Sequence, residues 1–311
     1  MMQPFRFPLA DETIVTGIYN IPPRSSSPLE YRPLIVALHG STYDCHYFDA
    51  SSTHTASIGS SAFGIPFISI DRPCYGGTTP LMLTLKESNF PKETGVRLHQ
   101  FILPSLWSTY GAPNECNCVV LLCHSLGSMG GIFAAALHGR DKNLSYPLGG
   151  VIFSGLGDQL LPEMKENPVR EPNISSDHVL FPLDVKDSLM FRPGTVNPDI
   201  LQQSARLNVP TPLAEIESMR DVWLPNWKSE WASDVKVPVM FGLSENDCFF
   251  EGTQSHVQRC AAAFLYSSRV DSSLITKAPH CIELSYWSQG WYSRCFGFAM
   301  ECSADVNAHL S

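Results

Sequence analysis

Cys118-Val-Val-Leu-Leu-Cys-His-Ser-Leu-Gly-Ser-Met-Gly-Gly131 decides how this chain is read. Its opening is an apolar run of strand length without alternation, as expected of a parallel strand covered on both faces. A sharp turn carrying Ser125 follows, and small residues then lead into a helix. A serine hydroxyl is a weak nucleophile at neutral pH, so a protein that uses one exposes it on a tight turn, with a base beside it and amide donors facing it. Gly127 removes a side chain that would meet the neighbouring strand. The helix opening near Leu126 aims free N–H groups and its positive dipole end at the same point. Cys123 stands where the Gly-x-Ser-x-Gly pattern has glycine. Taken alone, the run also suits an ordinary strand-to-helix turn in any α/β protein.

Upstream context adds two ordered signals. Leu34-Ile-Val-Ala-Leu38 is a second buried-strand run and ends in His39-Gly40-Ser41-Thr42. A third, Ile65-Pro-Phe-Ile-Ser-Ile-Asp71, leads into Arg72-Pro-Cys-Tyr-Gly-Gly-Thr78. Together these residues resemble the α/β-hydrolase family. The resemblance implies that the loop after the His-Gly pair donates an oxyanion amide, here that of Ser41, and that Asp71-Arg72-Pro73 with Gly76 is the family's Asp-Arg-Pro-x-x-Gly segment.

It also implies an acid and a histidine, in that order, at the ends of later strands. Val237-Pro-Val-Met-Phe-Gly-Leu243 precedes Ser244-Glu-Asn-Asp247, which makes Asp247 the expected acid. Ser273-Leu-Ile-Thr-Lys-Ala-Pro-His280 ends in the expected base. Asp158, after Gly150-Val-Ile-Phe-Ser-Gly155, is an alternative acid, and Glu245 a third candidate. In the implied mechanism His280 takes the proton of Ser125 and returns it to the leaving group, while Asp247 stays ionised and orients the imidazole. The amides of Leu126 and Ser41 hold the oxyanion. His124 is expected to point away from Ser125 and to pack or hydrogen-bond. His39 is expected to support the oxyanion loop.

The chain has 311 residues, 44% of them apolar, enough for one elaborated domain with a large core. A net charge of −9 without a basic cluster argues against a nucleic-acid partner. No apolar run approaches the roughly 18 residues that span a membrane, and the first residues do not read as a secretory signal. A cytoplasmic location is the expectation. The ten cysteines are dispersed, which favours free thiols. Cys116-Asn-Cys118 lacks a matching second pair, so neither a metal nor another cofactor is expected. Cys123, Cys248 and Cys281 lie within two residues of Ser125, Asp247 and His280; with ten cysteines chance is the leading explanation, and the alternative is that thiol reagents crowd the site.

Core strands are predicted near 13–20, 34–39, 65–70, 118–123, 148–154, 237–243 and 272–278, and helices near 46–58, 92–108, 126–138, 252–265 and 284–300. This alternation predicts an α/β fold with a doubly wound, mostly parallel sheet. Its hydrolase core is expected in two parts, 1–155 and 233–311. Residues 156–232 are rich in proline and in large side chains such as Met164, Phe181, Met190, Phe191, Trp223, Trp227 and Trp231, and the resemblance implies that they form the family's lid insertion.

A serine at the turn excludes the relatives that use aspartate there. The expected function is hydrolysis of an ester or thioester of a medium-sized lipophilic acyl compound through an acyl-enzyme on Ser125. The alternatives are transfer to a substrate hydroxyl, which forms a lactone, and a non-hydrolytic lyase or cyclase. The whole chain is similar in style to stand-alone hydrolases of fungal secondary-metabolite pathways, which implies that the acyl group could arrive on a carrier protein or polyketide synthase. Lys165, Arg170, Lys186 and Arg192 could then supply a basic docking surface. The oligomeric state stays open.

Overall fold

The structure is a computed structural model that describes residues 2–82, 89–166, 173–175 and 177–308. Its centre is an eight-stranded sheet. The strands are β1 (Gln3–Pro8), β2 (Ile14–Asn20), β3 (Arg32–Leu38), β4 (Phe67–Ile70), β5 (Cys116–His124) and β6 (Leu148–Ser154). Three short strands, β7 (Asn173–Ser175), β8 (His178–Leu180) and β9 (Thr211–Pro212), form a separate sheet. The large sheet closes with β10 (Val239–Asn246) and β11 (Val270–Pro279), in the order β1-β2-β4-β3-β5-β6-β10-β11.

From β4 to β11 all neighbouring strands are parallel, whereas β2 runs antiparallel to both β1 and β4. The two-faced cover expected from the apolar runs is visible residue by residue. Val119, Leu121 and Cys123 face one core, with helices Phe90–Arg97, Gly127–Arg140 and Gln254–Ala261, while Cys118, Val120 and Leu122 face a second core closed by helix Ser288–Ala308. This is the doubly wound, mostly parallel arrangement that the sequence predicts. Among the described residues, no helix is long and apolar enough to cross a membrane.

Three local expectations are corrected. The helix predicted at 46–58 is a short turn over Cys45–Phe48, followed by a bridge between Asp49 and Thr55, and the helix proper is Ser57–Phe63. Asp44 caps that turn, and the hydroxyl of Ser51 bonds the amides of Thr53 and His54, so local side-chain bonds displace the helical ones. Strand β1 was not expected, because Pro4 and Pro8 interrupt a half-exposed segment. Nor was the small sheet β7-β8-β9 within 156–232.

Candidate active site

The parallel strands converge at their carboxyl ends, and the expected residues sit there: Ser41 beyond β3, Ser125 beyond β5, Asp247 beyond β10 and His280 beyond β11. Ser125 has φ +49°, a left-handed conformation that a serine adopts only where the surroundings enforce it. They do so through backbone bonds: the Ser125 amide donates to Ser154 O at 2.7 Å, and the Ser128 amide donates to Ser125 O at 2.9 Å. A Cβ on Gly127 would lie 2.5 Å from His39 O and 2.7 Å from Leu38 O, so glycine is what lets the helix start against β3.

Cys123 fits in place of glycine for a related reason. Its thiol occupies the space that a side chain at Gly131 would need, since a Cβ there would lie 2.4 Å from Cys123 Sγ. Cys123 and Cys281 are buried, and burial pushes both thiols up, that of Cys281 to about 12. Cys248 is likewise buried and donates to Leu189 O. Burial and a raised pKa both oppose attack of a thiol reagent on these cysteines in the folded protein.

The structure brings Ser125, His280 and Asp247 into one chain. His280 Nε2 lies 3.0 Å from Ser125 Oγ, and His280 Nδ1 lies 2.7 Å from Asp247 Oδ2. Asp247 Oδ1 accepts from the amides of Phe249 and Phe250 at 2.8 and 3.1 Å, which fixes the carboxylate. Asp158 is elsewhere: it pairs with His256 Nε2 at 2.8 Å and with Lys228. Glu245 accepts from the Lys277 amide at 2.7 Å.

Ser41 and Leu126 line the cleft beside Ser125. The loop of Ser41 is pinned on both sides. His39 Nδ1 lies 2.7 Å from Gly40 O and its Nε2 accepts from the Arg72 amide at 3.2 Å, which makes Nδ1 the protonated nitrogen. Burial, reinforced by Arg72, lowers the His39 pKa to about 3, so the ring is neutral. The Thr42 amide donates to Thr211 Oγ1 at 2.8 Å.

Below His280 lies a buried polar cluster that sequence reading missed. Glu283 accepts from Tyr47 OH at 2.7 Å, Trp291 Nε1 at 2.9 Å and Ser154 Oγ at 3.3 Å. His124 packs and hydrogen-bonds as expected: its Nδ1 lies 3.0 Å from Ser154 Oγ, its ring stacks on Tyr47 at 4.8 Å, and it lies 3.5 Å from Glu283 and 5.0 Å from the His280 ring. Burial raises the Glu283 pKa and drives that of His124 well down, the latter helped by His280 and His39. The only signal for Glu283 in the sequence was its place three residues after His280.

The cleft above Ser125 holds about 710 Å³ of empty space, part of it open to solvent. Segment 156–232 supplies much of its wall, including Met164, Phe181, Met190 and Ile216. Trp223, Trp227 and Trp231 instead stack on one another and pack against the core at Phe133 and Phe264. Arg72 and Tyr75 both bind Glu215, tying the segment to the core through a buried ion pair.

Of the four residues expected to supply a basic docking surface, Lys165 is exposed. Lys186 is buried, the Arg192 side chain bonds the carbonyls of Asn246 and Asp247, and Arg170 lies outside the described residues. Among the described residues, two clusters bring metal-ligating atoms close together, Asp44-Cys45-His46 and Asp158-His256-Cys260. In the first, Asp44 is engaged as the cap of its turn. In the second, Lys228 supplies the cation that Asp158 needs, and His256 Nδ1 lies 2.7 Å from Glu251 O.

No protein-family model matches the chain, and no curated protein matches it. Solved structures do. A thermophilic esterase from Thermogutta terrifontis shares 13% identity, with a TM-score of 0.63 over 97% of this chain and 99% of that one. The fold is that of the α/β-hydrolases. A soluble variant of monoglyceride lipase from Saccharomyces cerevisiae, 13% identical, superposes on the same α/β-hydrolase frame with a TM-score of 0.62 over 97% and 95% of the chains. A hydrolase from Pseudomonas aeruginosa, 14% identical, does so with 0.61 over 95% and 97%.

Proposed function

We propose that the protein is a serine hydrolase that cleaves an ester or thioester of a medium-sized lipophilic acyl compound. The observation that carries this reading is the continuous hydrogen-bond chain Ser125-His280-Asp247 at the floor of a mainly apolar cleft. His280 takes the Ser125 proton as the oxygen attacks the acyl carbon. Asp247, held by two amides, keeps the proton on Nδ1 and stabilises the imidazolium. The amides of Ser41 and Leu126 receive the charge on the tetrahedral oxygen, a contribution of about 3 kcal/mol per donor. His280 then protonates the leaving alcohol or thiol, and water resolves the acyl-enzyme by the same route. Residues 156–232 act as the lid, with their apolar side chains setting the acyl preference. Esterase and lipase neighbours of the same fold support this reading.

Intact-mass analysis after treatment with a fluorophosphonate tests it. The expected result is one adduct on the wild type and none on Ser125→Ala or His280→Ala. A folded wild type that takes no adduct overturns the acyl-enzyme reading in favour of a lyase or cyclase. Lactone formation uses the same acyl-enzyme and is distinguished by the product.

A further inference from the structure

We propose that the substrate carries an anionic oxygen group, in the simplest case a carboxylate, and that Arg220 binds it. The inference rests on the hydrolase reading above and adds a second recognition point to it. The charged side chains that line the cleft are Lys186 and Arg220, and no carboxylate is among the described lining residues. An apolar cleft with an uncompensated positive charge selects a ligand that is apolar along its length and negative at one point.

The two cations are not equivalent. Lys186 is spent on structure: its ammonium donates to Thr42 O at 3.0 Å and to Leu207 O, and lies 3.8 Å from the centre of the Tyr43 ring. Arg220 has donors to spare. Its Nη2 makes a long bond of 3.4 Å to Met164 O, and its Nε is buried without a partner. No described carboxylate lies within 4.0 Å of it, unlike Arg72, Arg97, Arg140 and Arg269. A guanidinium cannot discharge by losing a proton, and an unmade bond at a buried N–H costs about 1–3 kcal/mol. A bidentate oxyanion removes both penalties together.

The backbone presents this side chain deliberately. Arg220 lies in a wide π-helical turn, Met219–Trp223, and the adjacent Met219 lines the same cleft. Two other such turns, Leu98–Ile102 and Trp107–Gly111, lie away from the cleft. The turn of Arg220 is clamped between Glu215, bound to Arg72 and Tyr75, and the fully buried Trp223. The backbone that carries Arg220 is therefore held in place, and the side chain has donors free for a ligand.

The anion could belong to the acyl chain or to the leaving group, as the phosphates of a pantetheine-type thiol would. Matched probes separate the two. The first pair is the 4-nitrophenyl monoester of adipic acid and its methyl-capped counterpart, and the second is butyryl-coenzyme A and butyryl-N-acetylcysteamine. In the wild type the anionic member of one pair is favoured by about ten- to a hundredfold in kcat/KM, the range of one charge-assisted contact. Arg220→Gln abolishes that preference, and Arg220→Lys restores part of it. A preference confined to the coenzyme A pair assigns the anion to the leaving group.

The proposal is overturned if both pairs show the same ratios in wild type and Arg220→Gln while Ser125 still takes the fluorophosphonate. Loss of that labelling in the wild type would instead overturn the hydrolase reading. Should Arg220→Gln fail to fold, protection of wild-type Ser125 from labelling by adipate but not by dimethyl adipate supports the site. Equal effects of the two compounds would exclude it.

Discussion

Replacing Glu215 with glutamine measures how the segment above the cleft is held to the core. Arg72 and Glu215 are 1% and 0% exposed, and Glu215 also takes the Tyr75 hydroxyl. Burial opposes the charge on Arg72, but Glu215 and Tyr75 outweigh it and hold its pKa above the ordinary value. Glutamine keeps the shape and one acceptor oxygen while leaving the guanidinium without a counter-charge. Removing one partner of a buried pair costs about 3–5 kcal/mol. At about 2 °C per kcal/mol for a chain of this size, the melting midpoint falls by roughly 6–10 °C. The triple variant Arg72→Met, Tyr75→Phe, Glu215→Met removes every charge and hydroxyl of the cluster and returns to within about 2 kcal/mol of wild type. Urea unfolding followed by tryptophan fluorescence reads both values. Fluorophosphonate labelling should also slow in Glu215→Gln, because Tyr75 packs edge-on against His39 at 4.8 Å and His39 holds Gly40 O. A single variant within 1 kcal/mol of wild type, or a triple variant worse than the single one, refutes the reasoning.

Gly131→Ala drives a methyl group onto Cys123 Sγ and should cost about 1–3 kcal/mol in urea unfolding; adding Cys123→Ala should recover most of the loss, and a double variant no better than the single would count against the contact. His39 and His124 are buried neutral with pKa values below the usual 6.5. The unfolded chain therefore binds more protons, and their contribution, complete above about pH 6.5, is lost on acidification at about 1.4 kcal/mol per pH unit for each. Glu283, raised by burial, pulls the other way above its unfolded value. Urea midpoints measured between pH 7 and 5 should fall steadily, and a flat profile would refute the neutral assignment. Among the ten cysteines only Cys74 is not buried; a maleimide should add once to the native protein, and rapid addition to Cys123 would contradict the packing described.

The parts legible in the sequence are those whose signal is local. Ser125 and Ser41 follow continuous apolar runs, and Asp247 and His280 follow shorter strand-like segments, so the strand that delivers each residue also announces it. What escaped depends on partners far along the chain. Glu215 is meaningful only beside Arg72, Arg220 only in the cleft, and Glu283 only beneath His124. Lys186 read as a surface charge because nothing nearby shows that Thr42, Leu207 and Tyr43 enclose it. The tryptophans of segment 156–232 were read with the lid, yet they pack on Phe133 and Phe264, and composition carries no direction. Strand β1 was hidden by two prolines that an edge strand tolerates and an inner strand does not.

The separation of Ser125 from His280 by 155 positions also has a meaning in time. During synthesis the serine-bearing turn leaves the ribosome long before the strand that carries the base. On the proposed mechanism, a chain in which β10 and β11 have yet to join the sheet carries Ser125 without its base. On that reading, the appearance of phosphonate labelling during refolding should report the moment at which His280 reaches Ser125.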